Sequence, residues 1–324
     1  MPVAIAITNP GTPETMKLVE LPITEPGPGQ ARIRQSISGV NFVDIYVRTG
    51  LYPLPPGQTV LGFEGAGVVE AIGSGVENVK IGDRVAYVGH PLGSYAEMRT
   101  LSASRLVRLP DDVSERLAGS TMLRGLTAHM LLHKVHPLRS GEWVLVHAAA
   151  GGLGQIVTRW AKRLGANVIG TVGSGAKAEF AYEAGADAVL LHNSEDWVDE
   201  TRRIADGRGV HLAIDGIGGA MLSQTLATVR PFGTAASIGQ AAGPIPPIQL
   251  EELTAPRAIG LARPSVLTYA NDPDLYRQGT KALVAELRAG LINPIGAEYA
   301  LKDAARAHAD LEAGRTTASV VLTM

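Results

Sequence analysis

Between Trp143 and Gly154 the chain passes from an apolar segment, WVLVHA, through small residues into GGLG. It then enters QIVTRWAKRLGA, whose apolar residues recur at helical spacing. Strand, glycine turn and helix in that order open a parallel βαβ unit, and few other folds accommodate them. The turn reads Ala149-x-Gly151-x-x-Gly154, the dinucleotide fingerprint with alanine in place of the first glycine. Gly151 and Gly152 would let a pyrophosphate approach the backbone, and the following helix N-terminus would favour its charge. Gly154 would let that helix pack closely on the strand. The alternative is a tight corner that holds no ligand.

Beyond the turn, strand and helix patterns alternate. NVIGTV, ADAVLL, VHLAIDGI, GTAASIG and RAIGLA read as strands, and GAKAEFAYEAG, SEDWVDETRRIAD and GAMLSQTLATV as helices, the second with Ser194 as its expected N-cap. Upstream, AGSTMLRGLTAHMLLHKV has helical spacing and Pro137 stops it. The rhythm predicts a doubly wound parallel sheet with helices on both faces. The first 120 or so residues are different, rich in Gly, Pro and β-formers, with strands expected at ARIRQSISGV, GAGVVEAIG and DRVAYV. Near Arg263-Pro264 the rhythm breaks. The tail carries two helical stretches, DLYRQGTKALVAELRAG and LKDAARAHADLEAG, and ends in the apolar strand ASVVLTM. We expect a β-rich domain over 1–120, a nucleotide-binding domain over 121–262, and a return to the first domain over 263–324.

Composition removes several function classes. The 324 residues include no cysteine, which excludes disulfides, thiolate metal sites, iron–sulfur clusters and a cysteine nucleophile. The formal net charge of −2 gives no pull toward nucleic acid or anionic membrane. No apolar run reaches the ~18 residues of a bilayer span, and MPVAIAITNPG lacks the layout of a cleavable signal. The expectation is a cytoplasmic protein. No G-x-S-x-G element is present. His129, His133 and His136 fall near one another on a predicted helix, but no Glu follows His129, so they read as ordinary helix residues with no metal bound.

The residue about 20 positions past the fingerprint decides which dinucleotide fits. A carboxylate there takes the ribose 2′-hydroxyl of NAD. Here the segment is Thr171-Val-Gly-Ser-Gly-Ala-Lys177, with no carboxylate. Gly173, Ser174 and Lys177 leave room for a 2′-phosphate and neutralise it, so NADPH is expected over NADH. Lys177 as a solvated helix charge is the alternative, although a cation in a first helical turn opposes the dipole. His192, at the end of the next strand, would help hold the phosphate or is a surface histidine.

These residues and several further segments carry a resemblance over essentially the whole chain. NFVDIYVRTGLYP (41–53), LGFEGAGVVEAIGSGV (61–76), LRGLTAHMLL (123–132), HAAAGGLG (147–154), AKRLGANVIGTVGSGAK (161–177) and RPS (263–265) resemble the zinc-independent, zeta-crystallin-like quinone oxidoreductases of the medium-chain dehydrogenase/reductase superfamily. The resemblance implies a Rossmann-type domain inserted in a GroES-like catalytic domain. Where zinc-dependent relatives place a Cys and a Gly-His-Glu element, this chain has Asn41-Phe-Val-Asp44 and Gly62-Phe-Glu64, and the lobe that holds structural zinc is missing. Four tetrahedral ligands are not available there.

By resemblance, Asn41 and Tyr46 meet the nicotinamide end of NADPH, and Tyr52 lies beside the acceptor; the three form the expected catalytic set. The tyrosines could instead be packing residues. A phenol with a pKa of about 10 is a donor at neutral pH, not a base. Also carried over by position are Ala150, Gly151, Gly152 and Leu153 at the pyrophosphate, Thr127 at the carboxamide, Ile238 and Gly239 at the crevice, and Arg263 at a phosphate or the carboxamide or in an interdomain salt bridge. The role of Arg124, where the family often has a lysine, stays open. The implied activity is transfer of hydride, or of single electrons, from NADPH to a quinone without metal or flavin. The rival is reduction of an activated alkene, an enone or enoyl thioester. A third class, RNA binding or a bulk structural role, finds no basic, aromatic-rich face in a chain with 5% aromatic residues. The resemblance also implies a homodimer or a tetramer, with Pro246 to Leu261 as the stretch to inspect.

Overall fold

The computed structural model describes residues 1–57, 59–255 and 257–324. Strands β1 (Val3–Ala6) and β2 (Lys17–Glu20) form an antiparallel pair ahead of the long β3 (Gln30–Val40). Helix α1 (Phe42–Thr49) follows at once. Its start is fixed by Asp44, whose Oδ2 accepts from the Asn41 N–H at 2.8 Å, and its end by Gly50 at φ 83°, a left-handed value that suits glycine. Next come β4 (Glu64–Ile72), β5 (Arg84–Val88), β6 (Met98–Ser102) and β7 (Val107–Arg108).

The helix expected over 118–135 is broken into α2 (Glu115–Gly119), α3 (Met122–Met130) and a wider π-type turn at Leu131–Val135. The cause lies at Gly119. A Cβ there would stand 2.5 Å from Ile37 Cγ2 and 3.1 Å from Ala66 Cβ, so the backbone lies directly on β3 and β4. The next residue, Ser120, turns its hydroxyl onto the Leu117 carbonyl.

Strands β8 (Trp143–Val146), β9 (Asn167–Val172), β10 (Ala188–Leu191), β11 (Val210–Asp215), β12 (Val229–Ser237) and β13 (Gly260–Ala262) make a six-stranded, all-parallel sheet in the order β10-β9-β8-β11-β12-β13. Between them run α4 (Gly152–Arg163), α5 (Ala178–Glu183), α6 (Trp197–Ile204) and α7 (Met221–Thr228). Asp196, not Ser194, precedes α6; the Ser194 hydroxyl closes a turn by donating to the Leu191 carbonyl at 3.0 Å. The strands read as near-continuous apolar runs because helices cover both faces. Leu145, Ile169, Trp197, Val210, Leu226 and Val229 form the core on one side. Each such side chain contributes about 1.5–3 kcal/mol by leaving water.

The chain then continues through α8 (Val266–Asn271), α9 (Pro273–Arg288), β14 (Ile295–Ala300), α10 (Ala304–Glu312) and β15 (Ser319–Thr323). Asp272 caps α9 by accepting from the Asp274 and Leu275 N–H groups, and Pro273 sits at the first helical position. β15 pairs antiparallel with β3, Val320 opposite Val40, which completes a seven-stranded sheet. The chain divides into two compact units, one of Met1–Leu126 with Leu267–Met324 and one of Thr127–Val266. No helix among the described residues is long and apolar enough to cross a membrane.

Candidate active site

In the nucleotide-binding unit the Gly-rich turn joins β8 to α4. Gly151 stands at the N-cap of α4, and Ala150, Gly151, Gly152 and Leu153 follow one another around its start. Gly154 is set against the strand: a Cβ there would overlap the Ala148 carbonyl oxygen and stand 2.7 Å from Ala149 Cα. Only glycine allows this approach of helix to strand.

At the end of β9 the fold brings together the residues expected to meet a 2′-phosphate. Gly173 and Ser174 are exposed, and Lys177 lies in the short turn that precedes α5. A Cβ at Gly173 would touch His192 Cε1 at 3.4 Å, so His192 flanks the same spot from the next strand. Burial and the Lys177 charge push the His192 pKa down, and its Nδ1 is buried without a hydrogen-bond partner. An anion at this position would oppose the downward push on the His192 pKa. At the far side of the sheet, Arg263 donates to Ser237 Oγ at 2.7 Å and to Gln240 Oε1 at 3.2 Å, and Ile238 N–H donates to the Asp215 carbonyl. Thr127 is buried on α3.

Beneath these loops runs a buried polar chain that sequence reasoning missed. Thr171 Oγ1 lies 2.7 Å from His147 Nδ1; His147 Nε2 lies 2.9 Å from Thr225 Oγ1; Thr225 Oγ1 lies 3.3 Å from Asp215 Oδ2. Asp215 Oδ1 accepts from the Ile217 and Gly218 N–H groups. The chain ties together the carboxyl ends of β8, β9 and β11, where ligands bind in open α/β sheets. Burial pushes the His147 pKa down to about 4. Between pH 6.5 and 4 the unfolded chain binds a proton that the folded one refuses, so this contribution to stability is present above pH 6.5 and is lost as pH falls toward 4. His147→Gln should flatten the pH dependence of unfolding free energy in that window by up to ~1.4 kcal/mol per pH unit, measured by urea denaturation. Parallel curves for variant and parent would exclude the assignment.

In the other unit, Asn41, Tyr46 and Tyr52 gather at α1. The Tyr46 and Tyr52 rings meet edge-on with centroids 5.3 Å apart, Phe42 stands 6.2 Å from Tyr46, and Tyr52 N–H donates to the Tyr46 carbonyl. Asn41 Nδ2 donates to Glu64 Oε1 at 2.7 Å, and Arg124 Nη1 donates to the same oxygen at 3.0 Å. Asp44, fully buried, also accepts from the Tyr95 hydroxyl at 3.0 Å, and burial pushes its pKa up to about 7. In the nucleotide-binding unit, the His129 and His133 rings lie 4.7 Å apart, centroid to centroid, with Trp160 at 5.9 and 5.7 Å from them.

Two family models match the chain, Alcohol dehydrogenase GroES-like domain over residues 27–111 and Zinc-binding dehydrogenase over residues 152–270. A quinone oxidoreductase of Pseudomonas aeruginosa is 40% identical over 313 residues, 96% of either chain. The chain belongs to the quinone oxidoreductases. A 2-haloacrylate reductase of a Burkholderia species is 38% identical, with 99% of both chains covered. The solved structure of the Escherichia coli quinone oxidoreductase complexed with NADPH superposes with a TM-score of 0.95 at 35% identity, over 99% of this chain and 100% of that one. The fold is accordingly the two-domain one of the medium-chain dehydrogenases/reductases, GroES-like and Rossmann-type. Zinc, which one family model names, does not fit the residues of this chain. The chain has no cysteine, both Glu64 oxygens are engaged by donors, and no three His, Asp or Glu side chains cluster among the described residues.

Proposed function

We propose that the protein is an NADPH-dependent quinone reductase that works without metal or flavin. The observation that carries this reading is the end of β9, where Gly173, Ser174 and Lys177 follow the strand, His192 flanks Gly173, and the segment 171–177 has no carboxylate. The quinone oxidoreductase relatives and the NADPH named in the E. coli complex support it. Bound NADPH supplies a hydride to an electrophile. In the proposal, Ala150–Leu153 hold its pyrophosphate on the α4 N-terminus, and Lys177, Ser174 and His192 hold the 2′-phosphate. Ile238, Gly239, Thr127 and Arg263 line the nicotinamide side. Asn41 and Tyr46 meet the nicotinamide end, and Tyr52 donates its phenolic proton in a hydrogen bond to the acceptor oxygen as negative charge develops there.

NADPH oxidation with a panel of quinones, in the presence of a chelator, tests the reading. The expected result is chelator-resistant turnover with kcat/KM for NADPH well above that for NADH. Loss of activity on chelation, or equal use of NADH, would overturn it. A second reading, reduction of an activated alkene, is favoured by the 2-haloacrylate reductase relative. A kcat/KM for 2-haloacrylates or enones above that for every quinone would replace the first reading by the second.

We also propose that the protein is a cytoplasmic homodimer. Strand β13 ends the sheet order, and the neighbouring Phe232 is 89% exposed. Pro256, in the stretch 246–261 singled out for association, lies outside the described residues. Sedimentation gives the mass directly.

A further inference from the structure

Glu64 opens β4 and is fully buried. It fits there because Gly39, opposite on β3, has no side chain: a Cβ on Gly39 would overlap the Glu64 carboxylate. Both oxygens are occupied, and every partner is a donor. Oε1 takes Asn41 Nδ2 at 2.7 Å and Arg124 Nη1 at 3.0 Å, and Oε2 takes the Leu123 N–H at 2.6 Å. Arg124 is itself 7% exposed and is held by the Val40 and Ser120 carbonyls. Burial raises the Glu64 pKa, and Arg124, Asn41 and the Leu123 N–H oppose that shift. A protonated carboxyl would set a fourth proton among three donors, so the ionised form is the one these contacts fit.

An ionised carboxylate only accepts. It therefore decides which way round the Asn41 amide sits: nitrogen against Glu64, with the carbonyl oxygen turned to the start of α1, where the capping box faces it to the Asp44 N–H and a second lone pair is available to a ligand. We propose that Glu64, charge-balanced by Arg124, is a positioning residue that fixes the polarity of the Asn41 amide, so that Asn41 offers an acceptor oxygen and selects a hydrogen-bond donor on the dinucleotide, the nicotinamide amide or a ribose hydroxyl. This rests on the assignment of Asn41 to the nicotinamide end. It also gives Arg124 a role that the sequence left open, and it leaves stabilisation of the acceptor oxygen to the tyrosines.

The test moves the charge across the pair. In the double variant Asn41→Asp, Glu64→Gln, the introduced glutamine turns its amide nitrogen to the introduced aspartate, and Arg124 Nη1, which shared the replaced Oε1 with Asn41, shifts its donation to that aspartate as well. The negative charge stays beside Arg124, and position 41 again presents an acceptor. NADPH affinity is measured by calorimetry, with kcat, KM and thermal melting alongside. Asn41→Ala and Glu64→Gln should each weaken NADPH binding ~10-fold and lower kcat, whereas the double variant should return to within ~3-fold of the parent affinity. The reduced 3-acetylpyridine analogue, whose methyl ketone lacks the amide N–H, then separates the two donors. Weaker binding than NADPH to the parent, with the difference abolished in Asn41→Ala, assigns the nicotinamide amide; no difference assigns the ribose hydroxyl. A double variant that folds but binds as poorly as Asn41→Ala overturns the proposal. So does one that fails to fold where Asn41→Ala folds, because position 64 would then serve the fold and not the amide's polarity. A folded Glu64→Gln with parental affinity and kcat overturns it too. Absence of NADPH binding by the parent protein would instead sink the proposed function.

Discussion

Gly173→Asp should invert the dinucleotide preference, weakening NADPH binding ~100-fold or more while strengthening NADH binding. Gly173 is exposed at the end of β9 and does not have a left-handed φ, so a side chain is conformationally allowed. The only contact a Cβ would make there is with the His192 ring, at 3.4 and 3.7 Å, which is ordinary packing. A carboxylate at this point would accept from the ribose 2′-hydroxyl of NADH and repel the 2′-phosphate of NADPH. Two like charges ~4 Å apart near a protein surface interact by about 4 kcal/mol at an effective dielectric constant of 20, which is ample for the change in preference. Lys177→Ala removes one attractive charge and adds no repulsive one, so its effect on NADPH should be smaller, ~10-fold, with NADH untouched. Calorimetric titration of both dinucleotides into both variants checks the pair. Equal losses for NADH and NADPH would mean local damage, and unchanged NADPH affinity in Gly173→Asp would move the phosphate elsewhere.

The parallel sheet was legible in the sequence because its signals are local. Each strand is a short apolar run closed by a turn, and the Ala149–Gly154 corner combines strand end, glycine spacing and helix start within a dozen residues. The grouping that we propose as a 2′-phosphate seat was legible for the same reason, since Gly173 and Lys177 lie four residues apart and His192 follows the next strand. What joins distant segments was not legible. Glu64 and Arg124 are 60 residues apart, and His147 is 78 from Thr225. Nothing in the neighbourhood of either predicts a partner at that separation. One signal was available for Glu64, a charged residue inside the otherwise apolar and small run LGFEGAGVV, since a carboxylate there must be paired if it is buried. Local signals also misled. Ser194 suits an N-cap, yet α6 starts after Asp196 and the Ser194 hydroxyl closes a turn on Leu191; the helical spacing over 118–135 ran through Gly119, whose close approach to β3 and β4 was not visible in it. Helix α1 has only eight residues, too few for periodicity to stand out, and it owes its definition to the Asp44 cap.

Gly154→Ala should cost about 3 kcal/mol of stability and lower NADPH affinity ~100-fold, whereas the same change at Gly151 should cost under ~1 kcal/mol. One methyl group is added in each case, so the contrast depends entirely on what it meets. At Gly154 it meets backbone, overlapping the Ala148 carbonyl oxygen and standing 2.7 Å from Ala149 Cα and 3.0 Å from the Ala148 carbonyl carbon. Backbone cannot rotate away, so α4 has to move off the strand. That movement displaces the Ala150–Leu153 amides from the place where a pyrophosphate would bind. It also loosens Trp160, which α4 buries to 1% exposure. At Gly151 the nearest atom is the Ala148 carbonyl oxygen at 3.2 Å, a gap that a shift of a few tenths of an ångström relieves. Urea denaturation gives the stabilities and calorimetry the affinities. A Gly154→Ala protein that is destabilised yet binds NADPH like the parent would show that the glycine serves only the packing of helix on strand, and the pyrophosphate would have to be placed away from the α4 N-terminus.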